Sequence, residues 1–247
     1  MSHADKPLGE TAARFPSTRW TIVTAARGDG SRASRALNEL CGMYWQPVYA
    51  FIRRKGHPPA DAEDLTQGFF AELLERRSLA TVGEEKGRLR TFLLKAVTRH
   101  LGHAREKQSA AKRGGGHTVL SLDFKTAEGQ FIPEPGHHIT PDLEFQRQWA
   151  LGLLERTLDL VRTEAVAGGR GALFEDLKGT ISLDAGTESY EVIAARHRLS
   201  EGAVKSAAHR LRQSFRDALR SLIVETVGGE EEVDDEIRHL FTVFQQP

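Results

Sequence analysis

Apolar side chains recur along this chain every three or four residues, and alternation at every second position is nearly absent. The pattern therefore predicts helices and almost no strand. A first helical set is expected over about residues 20–112. Glycines and prolines then break the periodicity in KRGGGHTVLSLDFKTAEGQFIPEPGHHITPD, residues 112–142. That stretch is too long for an ordinary connection, so it reads as an interdomain linker or a functional loop. VLSLDF inside it has room for a short extended piece. After Pro141 the helical spacing returns through Leu143, Leu151, Leu154, Leu158 and Val161, and a second set runs to about residue 227. The last twenty residues are acidic, then amphipathic at Ile237, Leu240, Phe241 and Phe244. The predicted fold is all-α, with two helical domains joined by the Gly/Pro-rich linker and a helix-turn-helix in the second. The expected divisions are an N-terminal extension over 1–19, a first helical domain over 20–113, the linker over 114–141, the helix-turn-helix domain over 142–227 and an acidic tail over 228–247. No internal repeat is visible.

Composition changes this picture little. At 247 residues, 39% hydrophobic and 28% charged, the chain suits a soluble protein of one large or two smaller domains. No apolar run approaches the ~20 residues of a membrane span, and the opening MSHADKPLGE lacks the apolar core of a secretory leader. A single cysteine, Cys41, excludes an internal disulfide framework and a Cys-rich zinc site, and reads as a small buried apolar residue. A cytoplasmic location is expected.

Charge changes it more. The 34 basic and 34 acidic residues cancel in sum but not in place. Residues 86–113 carry nine Lys/Arg against Glu106 alone, and residues 196–220 carry seven against Glu201 and Asp217. The tail GGEEEVDDE runs the other way. Two basic blocks in a neutral protein point to two footprints on a polyanion, although solvated helix faces have the same composition.

DAEDLTQGFF, residues 61–70, sets three carboxylates within four positions. On a helix, at about 100° per residue, Ala62, Leu65, Phe69, Phe70 and Leu73 share one side, and Asp61, Asp64, Gln67 and Gly68 the other. Pro58 and Pro59 suit a helix start, so Asp61 and Glu63 also fit as caps facing the helix dipole. Asp64 and Gln67, one turn apart on the open side, have no such explanation. Thr66 turns toward the core, which makes it a poor phosphorylation site. A divalent metal needs more oxygen or histidine ligands on that face, and acid–base catalysis needs a pocket. Docking to another molecule fits these residues better.

In KGRLRTFLLKAVTRHLGHAREKQSAAKR, residues 86–113, Leu89, Phe92, Leu93, Ala96, Val97 and Leu101 take core spacing. Arg88, Lys95, Arg99 and Arg105 project away, suited to phosphates, with His100 and Gln108 able to add polar contacts. His100 and His103 lie one turn apart but lack a third metal ligand. In ESYEVIAARHRLSEGAVKSAAHRLRQSFRDAL, two helical patterns meet at HRLS, with Val192, Ala195, Leu199, Val204, Ala208, Leu211 and Phe215 predicted as the shared interior. Ser200 is a natural N-cap for the second helix. That helix then presents Glu201, Gly202, Lys205, His209 and Arg210 near its start, where a recognition helix meets base edges.

An acidic docking helix, a basic helix, a Gly/Pro-rich linker and a basic helix-turn-helix, in that order, resemble a bacterial RNA polymerase sigma factor of the sigma-70 family, extracytoplasmic-function type. DAEDLTQGFF resembles that family's clamp-binding helix and LSEGAVKSAAHRLRQSFR its promoter-reading helix; the likeness covers about residues 35–113 and 142–222. It implies that residues 20–113 are a region-2-like domain and 142–227 a region-4-like domain. Asp64 and Gln67, supported by Asp61, would bind the clamp helices of the β′ subunit of core polymerase. The second domain would meet the β flap. Residues 88–105, with Arg88, Lys95, Arg99, His100 and Arg105, would meet the minus-ten element, while RSLATVGEEKGR holds an unstacked base. Ser200, Glu201, Lys205, His209 and Arg210 would read the minus-thirty-five element of promoter DNA, and the linker would thread toward the RNA exit path. An anti-sigma factor or another regulator is a possible further partner. The resemblance implies no enzymatic activity, no cofactor and no membrane contact.

Two departures stand out. TRH occupies the place where the family often has Ala-Arg-Asn, and Arg198 the place of a glycine able to adopt positive φ. An arginine there costs strain or forces another turn. The rival readings are a stand-alone helix-turn-helix regulator, which leaves the Asp64/Gln67 face unused, and a metal-dependent phosphoesterase built on His57, Asp61, Glu63 and Asp64. Charge opposition further predicts that the acidic run 230–236 folds back on a basic face and weakens free DNA binding.

Overall fold

Helix starts and stops are written locally along the chain, and nine helices follow from them among the described residues. The computed structural model describes residues 31–75, 88–111, 139–182, 188–224, 226–227 and 230–246, and every regular element there is helical. The N-terminal extension, the RSLATVGEEKG loop and VLSLDF lie outside these residues. No described helix is long and apolar enough to cross a membrane.

Helix α1 (Ser31–Arg54) contains Pro47, which denies an intrahelical donor to the carbonyl four residues earlier. Burial on the same helix offsets that cost: Tyr44, Trp45, Val48, Tyr49, Phe51 and Ile52 are each under 5% exposed. The helix stops at Gly56, whose φ of 91° suits a glycine terminus, with Arg53 and Arg54 complementing the dipole. Helix α2 (Pro59–Glu75) opens on a proline at its first position. It buries Ala62, Thr66, Phe69, Phe70 and Leu73, with Phe70 stacked on Trp45 at 5.7 Å. The hydroxyl of buried Thr66 donates to the Ala62 carbonyl at 2.6 Å. Helix α3 (Leu89–Ala111) buries Leu89, Leu93, Val97 and Leu101, a single stripe at four-residue spacing.

Helix α4 (Pro141–Ala167) is capped by Thr140, whose hydroxyl accepts from the Leu143 amide. It runs against α1 in the most extensive helix–helix contact of the fold. Glu144, buried between them, is bonded by Arg54 and Gln148. The buried face of α4 is Phe145, Trp149, Ala150, Leu153 and Val161, whereas Leu151, one of the apolar residues at helical spacing, is 42% exposed. Two short helices follow, α5 (Gly171–Leu177) and α6 (Gly179–Ser182), then α7 (Tyr190–His197) and α8 (Glu201–Val224), and finally α9 (Val233–Gln245) after a 3-10 turn at Glu230–Glu232.

Two main hydrophobic clusters organise these helices, and a third, minor one joins Ile139 and Leu143 to Val243 of α9. The larger draws Cys41 to Leu73 and Leu89 to Leu101 together with Phe145, Trp149, Leu153, Leu219, Leu222, Ile223, Val233 and Leu240. The described helices on either side of the linker therefore share one core. The smaller holds Leu177, Ile193, Ala194, Val204 and Ala208. Helix α8 belongs to both, its first half to the small cluster and its second to the large. Cys41 is 1% exposed, and burial pushes its thiol up to about 12, which makes it inert at neutral pH.

Two predicted faces are turned relative to expectation. In α7, Ile193 and Ala194 face inward, while Val192 is 47% exposed and Ala195 and Leu199 are also exposed. The frame Tyr190–Ile193–Ala194–His197 competes with Val192–Ala195–Leu199 and wins by placing the bulkier Ile and Tyr against α8. In α9, Val233, Leu240 and Val243 are buried, whereas Phe241 and Phe244 are 52% and 40% exposed.

Candidate functional site

Three surfaces carry the residues singled out by the sequence. The first is the outer side of α2. Burial of Ala62, Thr66, Phe69 and Phe70 fixes the rotation of this helix, which turns Asp61, Glu63 and Asp64 fully outward and leaves Gln67 half-buried. Asp61, Asp64 and Gln67 follow one another at one-turn intervals, and none has a hydrogen-bond or ion-pair partner among the described residues. Asp61 lies in the first turn, where its charge complements the helix dipole. Beside it, burial and the charge of Arg105 lower the pKa of His57, against the opposing pull of Asp61. Among the described residues, no three His, Cys, Asp or Glu side chains gather closely enough to hold a metal ion.

The second surface is α3. Lys95, Arg99 and Arg105 are exposed, and none has an acid or hydrogen-bond partner among the described residues. His100 is turned instead toward α2: its Nδ1 meets Glu72 Oε2 at 2.5 Å and its ring lies edge-on to Phe69. It ties two helices together rather than facing outward with Lys95 and Arg99. Arg88, at the start of α3, is engaged with Glu236 of α9.

The third surface is the start of α8. Ser200 accepts from the Ala203 amide at 3.2 Å and so caps the helix as predicted. Glu201, Lys205, His209 and Arg210 are all exposed. Lys205 pairs with Glu201 at 2.7 Å, and this hydrogen bond is the main cause of its raised pKa. The turn before the cap keeps its geometry despite the side chain, with Arg198 left-handed at φ 55°, ψ 41°. Helix α7 is held against α5 by Asp176, bonded to His197 Nε2 at 2.7 Å and to Arg196 at 2.8 Å, with Arg196 also reaching Glu188 at 2.6 Å. The His197 bond first, and then Arg196, lower the Asp176 carboxyl. Arg196 and Arg220, counted in the basic block, are thus partly neutralised by Asp176, Glu188 and Asp234. Arg198, Arg210 and Arg212 have no acid partner among the described residues.

Sequence reading missed Asp176 and Glu188 as positioning groups, because nothing in their spacing marks a partner on a later helix. The role of Glu236 was visible only as net charge in the tail. Compared with protein-family models, curated proteins and solved structures, the chain finds no match.

Proposed function

We propose that this protein is a sigma factor of the sigma-70 type, in the two-domain extracytoplasmic-function class. In this reading it binds bacterial core RNA polymerase in the cytoplasm and directs it to promoter DNA. The observation that carries it is the outer face of α2. A helix buried along one side presents two carboxylates and an amide on the other, and none of the three is satisfied within the described molecule. Such a face is suited to a partner with donors at helical spacing, which the β′ clamp helices would supply. Lys95, Arg99 and Arg105 of α3 would take phosphates near the minus-ten element. Ser200, Glu201, Lys205, His209 and Arg210 would meet the minus-thirty-five element, with the β flap beside the second domain. The effect comes from binding and promoter opening, and calls for no catalytic residue or cofactor.

The test is binding to bacterial core RNA polymerase, wild type against Asp64→Ala/Gln67→Ala. Asp64 is exposed and Gln67 only half-buried, so the fold should survive. Affinity is expected to fall about tenfold or more, the loss of at least ~1.4 kcal/mol at an interface centre. Equal binding by the variant would remove the α2 face from the interface. A wild type that ignores core polymerase but dimerises on palindromic DNA would instead be a stand-alone regulator.

A further inference from the structure

Helix α9 delivers a carboxylate into the fold where two arginines converge. Glu236 is wholly buried. Arg90 grips it with Nε to Oε1 at 2.5 Å and Nη2 to Oε2 at 3.0 Å, and Arg88 Nε reaches Oε2 at 3.0 Å. The Arg90 guanidinium lies 5.2 Å from the Trp149 ring centroid, which holds it in position from the α4 side. Two cations thus share one anion. The turn before α9 also touches this end of α3, where the Leu89 amide meets the Thr226 carbonyl at 3.4 Å.

Burying an ion cluster is an expensive way to dock a helix, since apolar side chains do so without desolvating charge. A guanidinium fork fits the oxygens of a carboxylate or a phosphate alike. Arg88 and Arg90 stand at the head of the helix whose exposed cations are Lys95, Arg99 and Arg105. Apart from Glu236, α9 is held by Val233, Leu240 and Val243, and by polar contacts at its edges: Arg147 to the Val243 and Gln246 carbonyls, His239 to Gln146, and Arg220 to Asp234.

We infer that Glu236 stands in for a nucleic-acid phosphate in an anion site formed by Arg88 and Arg90. While α9 is docked, the free chain binds DNA weakly. When α9 leaves, both arginines pass to the phosphate backbone, Arg88 in line with Lys95 two turns further on and Arg90 reaching the same point from the buried side of the helix. The inference rests on the nucleic-acid part of the sigma reading and adds to it a self-blocking contact at a defined site.

The test uses the full chain and a short random-sequence DNA duplex, titrated over a range of salt. Glu236→Gln removes the charge that holds both arginines. Each phosphate gained steepens the slope of log K against log salt by about 0.9, so the variant should bind more tightly with a slope steeper by about 1 to 2. Asp235→Asn removes the same charge from an exposed position on the same helix and should leave the slope unchanged. A folded Glu236→Gln chain with the wild-type slope would overturn the inference, as would an equal change in Asp235→Asn.

If Glu236→Gln fails to fold, a second chain decides. In Gln146→Cys/His239→Cys, a reducible thiol cross-linker pins α9 to α4, and buried Cys41 does not compete. The pinned chain should lose DNA affinity that reduction restores; equal binding in both states would sink the clasp. Core-polymerase binding, read in the same samples, separates the two readings. A chain that binds polymerase but keeps its salt slope retains the sigma reading and loses the clasp. One that ignores polymerase but steepens its slope retains the clasp on a DNA-binding protein of another kind.

Discussion

Arg198 shows how a turn can prevail over the side chain placed in it. Its amide donates to the Ala195 carbonyl at 3.4 Å, and the next amide, of Leu199, donates to Ala194 at 2.9 Å. Those bonds close α7 only if Arg198 is left-handed, a conformation that costs an L-residue about 1–2 kcal/mol. Ser200 then has the right direction to cap α8. Arg198→Gly should therefore raise unfolding free energy by about 1 kcal/mol, reduced from the full strain by the extra freedom of glycine in the unfolded chain. A urea midpoint shifted upward at constant m-value would show it. The sequence marked this position as strained or rebuilt, and the structure selects strain.

Among the helices, those with a fixed start were the most legible. Pro58 and Pro59 set the phase of α2, and its stripe of Ala62, Phe69, Phe70 and Leu73 emerges where the pattern placed it. The candidate face on its other side was legible for the same reason: both sides of one helix follow from one phase. In α7, eight residues admit two apolar frames, and only contact with Leu177 and α8 distinguishes them. Helix α4 carries leucines on more than one side, so Leu151 and Leu153 could not be ranked by spacing alone. Helix α9 read as an acidic tail because its charges are contiguous in sequence, yet its buried face completes the main core. Leu240→Ala should then cost about 2–5 kcal/mol, as for a well-packed core leucine. Thermal or urea unfolding would measure it, and a cost near zero would mean that α9 contributes little to the fold.

For the molecule as a whole, the division into two helical domains describes the order of the chain better than the arrangement of its larger core, to which helices on both sides of the linker contribute. No periodicity announces that α1 lies along α4, or that Arg90 meets a residue 146 positions away. The joint between α9 and α4 also makes stability depend on pH. Burial, and then the nearby positive charge of Arg90, lower the pKa of His239 below its ordinary 6.5, with Glu236 opposing and Arg88 adding to the effect. The unfolded chain takes up this proton first as pH falls. Stability from this site is therefore complete above about pH 6.5 and declines below it. His239→Gln should show a smaller fall in melting temperature between pH 8 and pH 5.5 than wild type.

The distance in sequence between Arg90 and Glu236 carries a kinetic consequence. Helical proteins reach their transition states quickly when most contacts are local. Here the last described helix must find the third, and a loop of 146 residues must close before its carboxylate and apolar side chains gain anything. Helices α1 to α3 can associate early, through neighbours in the chain. The docking of α9 comes late, so substitutions on it should leave the folding rate almost unaltered and speed unfolding instead.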